Sequence, residues 1–422
     1  MKRCRVAAVL GTRPEAIKLA LVLRELRRRC DEFETCIIAT GQHRTMLDQA
    51  LELFGIKPDF DLDLMRPDQS LGSLTARVLD TVDNALARCT PHMLLVQGDT
   101  TSAFASALAA YYRKIPVGHI EAGLRSHDIY NPFPEEANRR LTAVVTEIHF
   151  APTLWSRFKL RDENVPLEKI VVTGNTVVDS LRALSTVAVS LAETPLATIP
   201  IDGRKIILVT SHRRESWGAD QENMCLALKD LVQRFGDIRV VYPVHLNPNV
   251  RATVNKLLGG AERIHLTEPL DYITFVSLLR RSYLVLTDSG GIQEEAPTFR
   301  KPVLVLRKVT ERPEASQFGM SKIVGMVREV IVNETSRLLT DADAYLDMSD
   351  GENPYGDGRA AERIVEVLSR WYQGKKPLLE ADKEFKIPPQ LTPRRRKADM
   401  KAEAKELQSA KAASATGEQS SG

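Results

Sequence analysis

Cysteine is scarce, and its spacing excludes two classes of protein at once. The five cysteines among 422 residues (Cys4, Cys30, Cys36, Cys89 and Cys225) are odd in number, lie far apart and form no Cys-x-x-Cys pair. Neither a disulfide framework nor a structural zinc site is predicted, and the thiols are expected to act as small buried apolar groups. Apolar runs approaching the roughly 18 residues of a membrane span are also lacking. The stretch 6–10 is too short for a signal peptide and is broken at once by Gly11-Thr12-Arg13, so a cytoplasmic location is expected. Single-sign charge is missing from most of the chain. The net charge is +3, and residues 375–422 alone carry 11 Lys and Arg against 7 Asp and Glu, leaving the rest near neutral. No nucleic-acid surface is expected.

What is present is ordinary globular composition, 43% hydrophobic and 27% charged, and a repeated order of strand, polar glycine turn and helix. Strands are predicted at 5–10, 35–40, 92–97, 116–120, 148–151 and 170–173, with helices at 14–29, 46–54, 70–88 and 102–112 between them. A stretch at 187–203 with two prolines and a glycine reads as a linker. A second series follows, with strands at 206–210, 240–243, 264–266, 283–287 and 302–306 and mainly helices over 327–372. The fold class is therefore α/β: two doubly wound, Rossmann-like domains of parallel strands facing a cleft, where ligands bind beyond the carboxyl ends of the strands. Residues 1–186 and 204–358 are the expected domains. Residues 375–422, with Arg394-Arg395-Arg396-Lys397 and an Ala/Lys/Ser/Gly-rich end, read as a disordered basic tail.

The polar residues with chemistry fall at strand ends. Ser289-Gly290-Gly291 follows a strand and precedes a helix start near Ile292. Glycines there let backbone N–H groups approach a phosphate, and the helix terminus adds unpaired donors. Either Glu294 or Glu295 can take a ribose diol. Gly11-Thr12-Arg13-Pro14-Glu15 closes the first strand without a Walker or Gly-x-Gly-x-x-Gly pattern, so ATP and NAD are disfavoured and no cofactor is expected. Arg13 and Lys18 can reach an anion. Asp99 and Glu121 end strands, and Glu135 sits in the proline-rich loop 131–136. Three carboxylates in one cleft suit acid/base work, with repulsion and burial raising their proton affinity. His212-Arg213-Arg214 is a fitting diphosphate contact. His119 and His127 flank Glu121 without metal-ligand spacing, and Asp59-x-Asp61-x-Asp63 reads as strand or loop alternation, so no metal is expected.

Seven blocks stand in order over residues 6–372: Gly11-Thr12-Arg13-Pro14-Glu15, Gly98-Asp99-Thr100, His119 to Arg125, Pro134 to Arg139, His212 to Glu215, Asp288 to Glu295 and Glu311-Arg312-Pro313-Glu314. Together they closely resemble the non-hydrolysing UDP-N-acetylglucosamine 2-epimerases. The resemblance implies a GT-B-like fold, a C-terminal helix (359–374) crossing back onto the first domain, and a homodimer. It implies reversible inversion at C2 of a UDP-sugar through elimination of UDP, serving surface polysaccharide synthesis. Asp99, Glu121, Glu135 and His212 would be catalytic. Ser289, Gly290 and Gly291 would hold diphosphate and Glu295 the ribose, with Phe275 beside the uracil and Arg13, Lys18 and Arg312 around substrate or phosphates. Gln42, Arg66, Glu136, Arg213, Arg214 and His245 would line a second pocket for a UDP-N-acetylglucosamine activator. Gln97 and Ser211 depart from the family pattern and read as minor. A glycosyltransferase, a hydrolysing epimerase and an inactive UDP-sugar sensor are the competing readings.

Overall fold

The computed structural model describes residues 2–41, 44–66, 69–200, 202–213, 216–310 and 312–387. The first half of the chain alternates β1 (Cys4–Leu10), α1 (Arg13–Arg28), β2 (Phe33–Ala39), α2 (Arg44–Leu53), β3 (Phe60–Asp61), α3 (Leu71–Cys89), β4 (Met93–Gln97), α4 (Thr101–Tyr112), β5 (Val117–Ile120), α5 (Glu135–Val145), β6 (Ile148–Ala151), α6 (Leu154–Asp162), β7 (Ile170–Val172) and α7 (Thr176–Ser185). These seven strands form one parallel sheet in the order β3-β2-β1-β4-β5-β6-β7. Alternate residues of β1 feed opposite cores. Val6, Ala8 and Leu10 join Leu19, Leu23 and Leu26 of α1, while Ala7 and Val9 join Val78 and Val82 of α3. A strand buried on both faces explains the unbroken apolar run that marked it in the sequence.

The second half comprises β8 (Lys205–Thr210), α8 (Ala219–Arg234), β9 (Ile238–Pro243), α9 (Pro248–Leu258), β10 (Ile264–Thr267), α10 (Tyr272–Arg281), β11 (Leu284–Thr287), α11 (Gly290–Glu295), β12 (Val303–Val305), α12 (Pro313–Gln317), β13 (Ser321–Ile323), α13 (Arg328–Thr340), α14 (Ala342–Ser349) and α15 (Ala360–Tyr372). Its sheet is again parallel, in the order β10-β9-β8-β11-β12-β13. In both sheets the strand order reverses beside the first strand, at β1/β4 and at β8/β11, which is where a doubly wound sheet opens a crevice. Short β3 falls in the Asp59-x-Asp61-x-Asp63 stretch that reads as strand or loop alternation, whereas β13 is not expected from pattern, because three residues carry no measurable alternation.

Three regions differ from expectation. Leu196 and Ile199, in the stretch expected to be a plain linker, are buried against Ile206, Leu208 and Leu278 of the second domain. Cys4 and Cys225 are buried as expected, whereas Cys30 is exposed and Cys36 and Cys89 are half-buried. The packed body continues to Ile387, so residues 375–387 are not part of a disordered tail. Leu378, Leu379 and Phe385 are buried, the Phe385 N–H donates to the Val172 carbonyl at 2.9 Å, and Glu384 pairs with Arg157. Phe385 packs on Ala151, Leu160 and Val172. Phe385→Ala is expected to cost about 3 kcal/mol, read as a lowered thermal midpoint. The Arg394–Lys397 run lies outside the described residues.

Helix α15 packs on α1 and α7 of the first domain. Arg29 pairs with Glu366 at 3.1 Å, the Ser369 hydroxyl donates to Glu32 at 2.7 Å, and Asp179 of α7 caps α15 by accepting from the Ala360 and Ala361 N–H groups at 3.2 and 2.8 Å. The chain after the second sheet thus ties back onto the first.

Candidate active site

The two switch points face each other across a cleft of about 760 Å³. Arg13 follows β1, Asp99 follows β4, His212 follows β8 and Ser289 follows β11, and all four line it. Glu121 enters after β5, Lys18 from α1, Phe275 from α10, Gly291 and Glu295 from α11, and Arg312 from the turn into α12. Glu135 also lines the cleft, but as the first residue of α5 rather than as a loop residue. Gly290 is buried behind the wall. Helix α11 begins at Gly290, two residues before the expected Ile292. The glycines adopt helical backbone there, and their use is the open space in front of them: a Cβ on Gly291 would meet nothing closer than 3.9 Å.

Buried hydrogen bonds fix the turns that carry these groups. The Gly11 and Thr12 N–H groups donate to Glu15 Oε2 at 2.5 and 2.8 Å, and the Thr100 hydroxyl donates to Oε1 at 2.6 Å, so Glu15 ties the Arg13 turn to the Asp99 turn. A side chain at Gly11 would collide with Thr40. Asn138 donates to the Asp99 carbonyl at 3.0 Å, and Arg139 pairs with the Asp99 carboxylate at 3.2 Å. The ring of His119 is buried, with Nε2 2.7 Å from the Gly98 carbonyl, and burial pushes it down to about 4, so it donates there as a neutral ring. Glu121 has a left-handed backbone (φ 67°), an energetically costly conformation for a non-glycine residue that this turn enforces. Across the cleft, buried Asp288 accepts from the Ser211 hydroxyl and from the His212 and Arg213 N–H groups at 2.9–3.0 Å. His212 Nδ1 stands 3.4 Å from its other oxygen.

The charged groups form one chain through the wall. Lys18 Nζ donates to both oxygens of Glu121, at 2.6 and 2.7 Å, and to Glu294 at 3.4 Å. Glu294 also accepts from Arg312 Nε at 2.6 Å, and Gln97 donates to Glu121. Burial works against the charge on Lys18, but Glu121 and Glu294 overcome that and hold it protonated. Burial raises Glu121 above the usual carboxylate range, with Lys18 opposing. It raises Glu295 to about 7, against a partial offset from Lys18.

A profile described as UDP-N-acetylglucosamine 2-epimerase matches residues 24–369. The chain belongs to the UDP-N-acetylglucosamine 2-epimerase family. Among its relatives, the UDP-N-acetylglucosamine 2-epimerase of Escherichia coli K12 is 50% identical over 369 residues, which cover 86% of this chain and 98% of that protein. The crystal structure of the Neisseria meningitidis UDP-GlcNAc 2-epimerase bound to UDP-GlcNAc superposes with a TM-score of 0.80 at 46% identity, covering 86% of this chain and 99% of that one. A glycosyltransferase from Rickettsia africae shares the fold alone, with a TM-score of 0.58 at 14% identity over 88% of this chain and 99% of that one. The chain is thus a member of an isomerase family on a GT-B-like scaffold.

Of the residues singled out for a second pocket, the four described ones do not line this epimerase-family cleft. Glu136 is buried behind it, accepting from the Ser126 and His127 N–H groups at 3.0 and 3.3 Å. Arg66 is exposed and donates to the carbonyls of Asp63 and Met65. Arg213 is braced on the Asp288 carbonyl at 3.1 Å. His245 stacks on His212, with centroids 5.6 Å apart. Gln42 and Arg214 lie outside the described residues. Gln97, read as minor in the sequence, bonds Glu121 directly, and Glu15 and Glu294 are structural parts of the site. Their signal was present in the motifs, but their partners come from other segments.

Proposed function

We propose that the chain interconverts UDP-N-acetylglucosamine and UDP-N-acetylmannosamine without releasing free sugar. A carboxylate removes the C2 proton while the C1–O bond breaks. UDP leaves with the bonding pair, and a 2-acetamidoglucal remains in the cleft. UDP oxygen then re-adds at C1 as an acid delivers a proton to the opposite face of C2. The C2 hydrogen is not beside a carbonyl, so its removal requires that the leaving diphosphate be stabilised in the same step.

The observation carrying this reading is that Lys18, Arg312 and Gly291 line the same cleft as Asp99, Glu121 and Glu135. A preorganised donor facing developing negative charge is worth roughly 3 kcal/mol. In this reading residues 1–186 provide the acid/base groups. Residues 204–358 hold UDP, with Ser289, Gly290, Gly291 and His212 about the diphosphate, Glu295 on the ribose and Phe275 beside the uracil, while Arg13 reaches the diphosphate from the first domain. Closure of the cleft keeps the glucal from water. Incubation with UDP-N-acetylglucosamine alone is expected to yield a mixture of two UDP-sugars. Free N-acetylmannosamine, or no reaction without an acceptor, would favour the hydrolase or glycosyltransferase readings.

Glu295 gives this reading a pH signature. A ribose diol donates to an ionised carboxylate, and in the empty cleft Glu295 holds its proton up to about pH 7. Affinity for UDP-N-acetylglucosamine, which does not itself titrate near neutrality, is therefore expected to be full above pH 7. It should fall by about tenfold per pH unit below. Glu295→Gln is expected to bind more weakly with a flat profile, as measured by calorimetry between pH 5 and 8.

The proposal extends to a second UDP-N-acetylglucosamine acting as activator through Gln42, Arg66, Glu136, Arg213, Arg214 and His245, seen as a sigmoidal rate against substrate. It also includes a homodimer, for which Leu141 and Val144 of α5, 49% and 82% exposed, offer an apolar surface. The product would supply cell-surface polysaccharide synthesis.

A further inference from the structure

Glu294 is 1% exposed and does not line the cleft, yet it touches two of the cations that do, Lys18 and Arg312. Its Oε1 accepts from Arg312 at 2.6 Å and its Oε2 from Lys18 at 3.4 Å. Lys18 at the same time grips both oxygens of Glu121. One ammonium group is therefore shared between a carboxylate of the first domain and one of the second. The second carboxylate also anchors the guanidinium on the far side. We infer that Glu294 is a positioning residue for the C2 chemistry, holding Lys18 between itself and Glu121 and aiming Arg312 at the departing diphosphate. This rests on the UDP-sugar reading above.

Three features of the arrangement call for such a residue. Lys18 and Arg312 are like charges buried together, and each lowers the other's stability unless an anion lies between them. Lysine carries its charge on four rotatable bonds, so a single partner fixes it poorly. Without Glu294 the Lys18 charge would also fall on Glu121 alone and bias it more strongly toward its ionised form. The groups facing Glu294 are Lys18 of α1, Glu121 after β5, Glu295 on its own helix, Arg312 and Glu314 around the start of α12, and Tyr355. Burial would raise Glu294, but Arg312 and Lys18 override it and keep the carboxylate ionised. That fixed negative charge in turn raises Glu121.

Removing the charge while keeping the shape separates positioning from packing. Glu294→Gln is expected to lower kcat by about 100-fold, with a smaller rise in KM. Glu121 then faces Lys18 without a second anion nearby, so the pH limb that it sets moves by about one unit toward lower pH. Glu294→Asp keeps the charge on a shorter arm. It is expected to lose about tenfold in kcat with the limb in place, and it decides the matter if the Gln variant does not fold. The assay is deuterium exchange at C2 of UDP-N-acetylglucosamine across pH 5–9. The inference is overturned by an Asp variant equal to wild type, or by a Gln variant that loses activity with an unshifted limb. Wild-type protein that exchanges nothing at C2 overturns instead the UDP-sugar reading on which the inference stands.

Discussion

Asp99→Asn is expected to slow epimerisation by about 10³-fold while UDP binding changes little. The substitution preserves size and the neighbouring contacts: the Asn138 bond goes to the Asp99 backbone carbonyl, and Arg139 keeps Glu136 as a second partner at 3.4 Å. What disappears is the capacity to take a proton, and positioned acid/base groups contribute about 10²–10⁴-fold. Asp99 stands at the switch point of the first sheet and lines the same cleft as Ser289 and Gly291, the cleft in which the proposed reading places the sugar. Glu121→Gln and Glu135→Gln are expected to act in the same direction. The discriminating measurement is kcat for epimerisation beside the dissociation constant of UDP. A loss below tenfold in Asp99→Asn would remove that residue from the proton path.

Lys18→Ala is expected to damage both stability and rate. It leaves Glu121 and Glu294 buried with their shared cation gone, and breaking one partner out of a buried ion pair costs about 3–5 kcal/mol. The direction with pH follows from the sign of the shift. Deprived of Lys18, Glu121, which burial already raises, binds its proton more tightly still in the folded state than in the unfolded chain, and Glu294 keeps Arg312 alone to hold it ionised. The penalty is therefore full above the raised folded-state value and relieved as pH falls from there toward the ordinary carboxylate range. The deficit in thermal midpoint should accordingly be largest near pH 8 and shrink toward pH 5. In the same variant kcat/KM should fall by about 10²–10³-fold, because a donor facing the diphosphate is lost. A midpoint deficit independent of pH would show that Lys18 does not neutralise this cluster.

Much of the scaffold was legible because both sheets are parallel and covered on two faces. Their strands then appear as short apolar runs, and a polar residue after each run lies in the cleft by geometry, as Arg13, Asp99, Glu121, His212 and Ser289 do. The sequence places Glu135 in a loop, and not at the start of α5, because Pro132 and Pro134 signal one, although proline is tolerated where a helix begins. Residues 375–387 were taken for tail because Lys375, Lys376 and Pro377 dominate their start. Burial of Phe385 depends on Ala151, Leu160 and Val172 from β6, α6 and β7, which local pattern cannot report. The roles of Glu294, a ribose candidate in the sequence, and of Gln97, minor there, escape local pattern for the same reason: each acts through a contact with a residue at least 18 positions away, Arg312 for one and Glu121 for the other.

The central claim is that one hydrogen is taken from C2 by a protein acid/base group while UDP is held in the same cleft. Incubation with UDP-N-acetylglucosamine in D2O, followed at C2 by NMR, tests it directly. The account predicts deuterium at C2 in both members of an interconverting pair of UDP-sugars, with no free sugar formed. Interconversion that leaves the C2 hydrogen undiluted by solvent, or a protein that exchanges nothing, would contradict it.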